Sequence, residues 1–238
     1  MTISILAFDE KTGSYGGAAA TGSLCVGGWV LRGDPESGMS ASQGSLPSTL
    51  WGQDVLALTR GGETASNAVA QVVGRDAGRD HRQLSSLDPT GETASFTGAQ
   101  SIETAGARSE AGVIVAGNLL SSAMVLDTCI ARFLVAEGNL SERLLAALDA
   151  ASSAGGDRRG FLSAALLVVS RNSAPLSLRI DRSADPLSDL RVLHGHATSG
   201  EYADWAAAVP TVAEPQRGPA STAHGASPDL RCTVPIRQ

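Results

Sequence analysis

Two hydrophobic periods alternate in blocks along this chain, and their order narrows the architecture sharply. Thr2 to Phe8 reads as a strand buried on both sides, with Ile3, Ile5 and Ala7 on one face and Leu6 and Phe8 on the other. Asp9 to Gly13 is turn chemistry, and Ser14 to Ala20 returns as the second strand of a hairpin. Two short apolar runs, Cys25 to Leu31 and Gly38 to Gln43, complete an all-strand opening. The period then becomes helical. Pro47 leads a run through Leu50, Val55, Leu56 and Leu58 that Gly61 and Gly62 stop. From Glu63 to Gly74, Ala65, Ala68, Val69, Val72 and Val73 fall at i, i+3, i+4, i+7 and i+8, one amphipathic face.

The same succession repeats. Strands are expected at Gln83 to Leu87, Thr93 to Thr97 and Gly112 to Ala116, with the turn Asp88 to Gly91 between the first two. A second helix pair follows, the first carrying Ala123, Leu126, Ile130, Phe133 and Leu134, the second capped by Ser141 and carrying Leu144, Leu145 and Leu148. Gly155 and Gly156 end it. Strands return at Ser163 to Ser170 and Leu176 to Asp181, and Asp185-Pro186 opens a helix through Leu187 and Leu190. A doubly wound sheet would alternate single strands with single helices. Grouped strands joined by tight turns instead predict an α+β protein, with two stacked antiparallel sheets between helical layers, in one domain over residues 1–208. From Val209 the chain turns to Pro, Ala, Ser and Gly without periodicity, which reads as a C-terminal extension over 209–238.

Composition excludes several functions. The 238 residues hold 18 Lys plus Arg against 24 Asp plus Glu, and 4% are aromatic, so a basic stripe with interleaved stacking rings is not to be had and nucleic acid is not an expected partner. No run approaches the length of a membrane span and no signal peptide is evident, so a cytoplasmic protein is expected. Cys25, Cys129 and Cys232 are odd in number and contain no CxxC pair, as for reduced thiols. His194 and His196 have metal-like spacing but no acidic or cysteine partner at a matching interval, and no metal or other cofactor is expected. Only Lys11 among the basic residues is a lysine, and it sits in the first hairpin turn. Few side-chain amines are therefore on offer as catalytic bases.

Four features carry candidate chemistry, each with an ordinary alternative. Removal of Met1 would leave Thr2 with a free α-amine, and a hydroxyl beside its own amine is a self-contained nucleophile and base; otherwise Thr2 is just the first residue of a strand. In Gly155-Gly156-Asp157-Arg158-Arg159-Gly160, either arginine could grip a carboxylate with Asp157 orienting the site, or the block is a helix C-cap and loop. The Asn118 amide, or a backbone N–H near Gly117, could donate to a developing oxyanion, or Asn118 closes a turn. Gln43, in Ser42-Gln43-Gly44, could contact substrate, or starts a loop.

Taken together, these pieces resemble the family DUF1028, assigned to the N-terminal-nucleophile (Ntn) hydrolase superfamily. The residues carrying the resemblance are Thr2 to Ile5 with the Asp9 to Gly13 turn, Arg82-Gln83, Asp88, Gly91, Phe96 to Gly98, Gly117 to Leu119, Gly155 to Gly160, Ser163 to Ala165 and Leu178 to Asp181 before Asp185-Pro186. The resemblance implies a four-layer αββα sandwich and hydrolysis of an amide or related C–N bond by Thr2, on a small polar substrate. It also implies the alternative of a non-catalytic binding or assembly protein keeping that fold, and it allows homo-oligomers. Two stretches depart from the family pattern: Thr21-Gly22 stands where members carry Ser-Lys, and Ser45 to Ser48 replaces an asparagine-containing stretch.

Overall fold

A computed structural model describes residues 2–218. It is a mixed α/β structure with two antiparallel sheets. Strands β1 (Thr2–Asp9) and β2 (Ser14–Thr21) form the expected hairpin, pairing Thr2 with Thr21 at its open end and Asp9 with Ser14 at its turn. Gly13 closes that turn at φ 65°, in the left-handed region that glycine enters without Cβ strain. A short helix α1 (Val26–Trp29) leads to β3 (Leu31–Asp34) and β4 (Gly38–Gly44). The run from Cys25 to Leu31 is thus mostly helical rather than a strand. A period cannot be read from four residues, and Ser163 Oγ accepts the Val26 N–H that begins the turn.

Helices α2 (Thr49–Arg60) and α3 (Ala65–Gly74) lie where the helical period places them, capped by the Ser48 and Thr64 side chains. Next come β5 (Arg82–Leu87), β6 (Thr93–Thr97), β7 (Gly106–Glu110) and β8 (Val113–Asn118). Helices α4 (Met124–Val135) and α5 (Leu140–Ser153) are followed by β9 (Ser163–Val169), β10 (Leu176–Ile180), α6 (Pro186–Ala197) and α7 (Gly200–Ala208). The cap of α5 is Asn139, not Ser141. Asn139 and Glu142 form a reciprocal capping box, while the Ser141 hydroxyl, already inside the helix, donates to Asn139 and meets His194 at 2.7 Å. Of the C-terminal extension, the described part returns to the body: the Ala213 N–H donates to the Arg171 carbonyl. Residues 219–238, Cys232 among them, lie outside the described residues.

One sheet runs β10-β9-β2-β1-β8-β7 and the other β3-β4-β5-β6. Alternation along the strands sorts the core into three clusters. Ile3, Ile5, Val115 and Leu166 meet Leu126, Phe133, Leu144 and Leu148 of α4 and α5; Leu6, Ala19 and Ile114 meet Met39, Ala41 and Leu87 across the sheets; Leu84 meets Trp51, Val55, Val69 and Val72 of α2 and α3. Burial of each fully enclosed leucine or isoleucine is worth roughly 1.5–3 kcal/mol. The small residues of β2 permit the close stacking. A Cβ on Gly16 would come within 2.7 Å of Leu144, and one on Gly17 within 2.9 Å of both Leu6 and Met39.

Candidate functional site

β1 lies inside the six-stranded sheet, so its first residue has a strand on either side. Thr2 stands opposite Thr21 of β2 and Asn118 of β8. Directly paired residues share a face, and the even positions of β1 point toward the second sheet, as Leu6 does. The three side chains therefore gather where the strands end, between the sheets. On the facing sheet, Gln43 of β4 and Gln83 of β5 are a directly opposed pair. Register within each sheet and period-two alternation together carry these five residues to one place.

Hydrogen bonds tie them together. The Thr2 hydroxyl donates to Thr21 Oγ at 3.2 Å, and the Gln43 amide donates to the Thr2 carbonyl at 3.4 Å. Gln83, wholly buried, is the hub. Its carbonyl oxygen accepts from Gln43 Nε2 at 2.7 Å and Asn118 Nδ2 at 3.2 Å, while its amide nitrogen is within bonding distance of Thr97 Oγ, the Gly106 carbonyl and the Gly117 carbonyl. Because Gln83 Nε2 faces two backbone carbonyls, which can only accept, its oxygen must face the other two amides, which fixes the orientation of all three. One consequence is a buried Gln43 Oε1 with no hydrogen-bond partner among the described residues.

Beside this network lies a cavity of about 280 Å³ that Thr2, Thr21 and Gln43 line together with Ser23, Leu24, Trp29 and Pro47. Among the described residues, the two non-glycine residues with positive φ, Cys25 at 60° and Leu119 at 55°, each sit next to this region, one following Leu24 and the other following Asn118. Such conformations cost of order 1–3 kcal/mol each and tend to collect where a site imposes geometry on the chain.

The glycine-acid-arginine block occupies a neighbouring position. Asp157, whose carboxylate is fully buried, accepts from the Gly22 N–H at 2.6 Å, one residue beyond Thr21. It also accepts from the Arg159 backbone N–H and pairs with the Arg159 guanidinium. Arg158 donates to the Leu120 carbonyl at 3.0 Å and reaches Thr104. Neither arginine lines the cavity, although Arg159 touches Ser23, which does. A Cβ on Gly22 would lie 2.6 Å from the Gly160 carbonyl and 2.7 Å from Asp157, so glycine at this position lets the backbone approach the carboxylate closely. Gly117 is glycine for packing, since a Cβ there would meet Leu120 at 2.9 Å.

Of the residues singled out from sequence, Thr2, Gln43, Gly117 and Asn118 are thus brought together, and Asp157, Arg158 and Arg159 form an adjoining clamp. Thr21 and the hub role of Gln83 were not visible from sequence. The available signal was a lone glutamine at an inward position of a strand, followed there only by Leu and Ser. Among the described residues, no three His, Cys, Asp or Glu side chains are grouped to hold a metal ion, and no helix is long and apolar enough to cross a membrane. His194 is a core residue against Ser141, its pKa pushed below the ordinary value by burial, which the Glu142 carboxylate partly offsets.

Two antiparallel sheets with a polar cluster at the start of an inner strand define the structural class. The chain belongs to the DUF1028 family, a family of unknown function, whose pattern matches residues 2–190. It is 47% identical to protein SPO2555 from Silicibacter pomeroyi, a DUF1028 protein of known crystal structure, with a TM-score of 0.88 over 91% of this chain and 98% of that one. A distant likeness, at TM-score 0.41 and 15% identity over 83% of this chain and 94% of the other, links it to Anbu (ancestral beta-subunit) from Yersinia bercovieri. No curated protein matches the sequence.

Proposed function

We propose that the protein is an Ntn-type hydrolase of four-layer αββα design that cuts a C–N bond in a small amide-type substrate, with Thr2 as the nucleophile once Met1 is removed. The observation that carries this reading is a threonine at the head of an inner strand, hydroxyl-bonded to Thr21 and lining a cavity. The free α-amine, titrating near about 7.7–8.0, accepts the hydroxyl proton as Thr2 Oγ attacks the substrate carbonyl carbon. The negative charge that develops on the carbonyl oxygen needs donors, and in this reading the second N–H of Asn118 Nδ2 or a backbone N–H near Gly117 supplies them. Collapse of the tetrahedral species breaks the C–N bond, the leaving nitrogen takes the proton from the amine, and the acyl group stays on Oγ as an ester. A water then attacks that carbonyl, gives its proton to the amine, and releases the acid as Oγ recovers a proton.

Untagged protein provides the test. Loss of Met1 in the intact mass, a single adduct on Thr2 with an amine- and hydroxyl-directed electrophile, and no adduct in Thr2→Ala are expected. Complete retention of Met1, or hydrolysis surviving in Thr2→Ala, refutes the assignment. A second reading, ligand binding without turnover, draws on the commitment of the Asn118 and Asp157 side chains to internal partners. Saturable ligand binding with no adduct on processed Thr2 would favour it.

A further inference from the structure

We infer that the cavity beside Thr2 receives an uncharged small amide bearing one apolar group about the size of a benzene ring, and that Trp29 is the residue that selects it. The bond to be cut rests on the reading of Thr2 as nucleophile; the recognition does not.

None of the residues lining the cavity is Asp, Glu, Lys, Arg or His. Its apolar members, Leu24, Val26, Trp29 and Pro47 among them, come from the segment around α1 and from the loop after β4, while its hydroxyl and amide groups come mainly from strand ends at Thr2, Thr21 and Gln43. That division suits a ligand with a polar amide at one end and an apolar body at the other. A carboxylate in the same space would give up water without meeting a side-chain countercharge on the wall, because Arg158 is held on the Leu120 carbonyl and Arg159 is paired with Asp157, and the Thr2 amine must be uncharged to serve as base.

Size points the same way. About 280 Å³ lies just below the range of roughly 300–1,000 Å³ typical of pockets for drug-sized ligands, so one ring and an amide are accommodated and a peptide is not. Trp29 and Leu24 are each 52% exposed at this cavity, and Leu46, between the lining residues Ser45 and Pro47, is 59% exposed. An apolar rim left in water at the mouth of a polar-based cavity is a feature that a ligand's apolar surface would cover. The indole face is also the part of the lining best able to stack on a ring.

The test is equilibrium binding to full-length Thr2→Ala by calorimetry, using phenylacetamide and malonamate, which share a primary amide and differ in carrying a phenyl ring or a carboxylate. Phenylacetamide is expected to bind at least about tenfold more tightly, with Trp29→Ala removing about that preference and Trp29→Phe restoring most of it. Equal or tighter binding of malonamate, or no binding of phenylacetamide, overturns the inference. So does a preference that survives Trp29→Ala. Ammonia release from phenylacetamide by the unsubstituted protein reads the other claim separately: preferential binding without release upholds the ligand class and removes Thr2 as nucleophile.

Discussion

Replacing Gln83 with leucine isolates the hydrogen-bond hub from the packing around it. The two side chains are close in size, so little cavity is created, and the change acts on hydrogen bonds. Gln83→Leu strips the acceptor from Gln43 Nε2 and Asn118 Nδ2 and the donor from the carbonyls of Gly106 and Gly117, all at a position with no exposure. A buried polar group left unpaired costs about 1–3 kcal/mol, and Gln43 keeps only a long contact to Thr2, so the total falls on the order of 3–6 kcal/mol. For a chain of this length each kcal/mol moves the midpoint by about 2–4 °C, giving a drop of roughly 6–24 °C in thermal unfolding followed by circular dichroism. Gln83→Glu makes a second comparison. Its carboxylate can still accept from both amides but would face two carbonyl oxygens in a buried site, which raises its folded-state pKa. A group with a raised folded pKa supports the fold below its unfolded value and withdraws that support as pH rises, so Gln83→Glu should sit nearer the parent protein at pH 4 than at pH 7. A loss under about 1 kcal/mol for Gln83→Leu, measured by urea unfolding at unchanged slope, would refute the hub.

Three further outcomes are expected. Asp157→Ala leaves the Gly22 N–H without its acceptor and should cost about 2–3 kcal/mol in urea unfolding, whereas Asp157→Asn, which retains an acceptor oxygen, should cost less. His194 has a folded pKa below its unfolded value, so its contribution is complete above about pH 6.5 and is lost as pH falls through the folded value; His194→Gln should flatten the stability profile in that acidic range. Burial pushes the Cys129 thiol up to about 12, so at pH 8 a thiol reagent should label Cys25 in the native protein and reach Cys129 only on unfolding, as peptide mass mapping would show.

What could be read in the sequence was whatever repeats with a period. Helix α3 and the β1–β2 hairpin match their expected positions because apolar spacing and a Gly13 turn specify them locally. Strand β7 escaped notice because its Gly-Ala-Arg-Ser-Glu sequence forms an exposed edge, with no buried face to give it an alternation. Helix α7 buries no residue, and Tyr202 and Trp205 meet at an interplanar angle of 50° with no apolar stripe around them. At the site, Thr2, Gln43 and Asn118 could be named as polar residues at strand ends. The partnership of Gln43 with Gln83 could not, since it depends on the register between β4 and β5 across an intervening helix pair. The clamp on Gly22 depends likewise on a contact between the end of β2 and a loop far downstream.

The place of β1 between β2 and β8 also has a kinetic meaning. Its pairing with β2 is a local hairpin, closed over a four-residue turn, whereas its pairing with β8 must wait until both central strands of the other sheet and a helix pair have been made. Thr2 meets Thr21 early and Asn118 late. Every residue that lines the cavity lies between Thr2 and Pro47, so its walls come from the first stretch of chain, while the Asn118–Gln83 contact that backs Thr2 is added only when β8 docks.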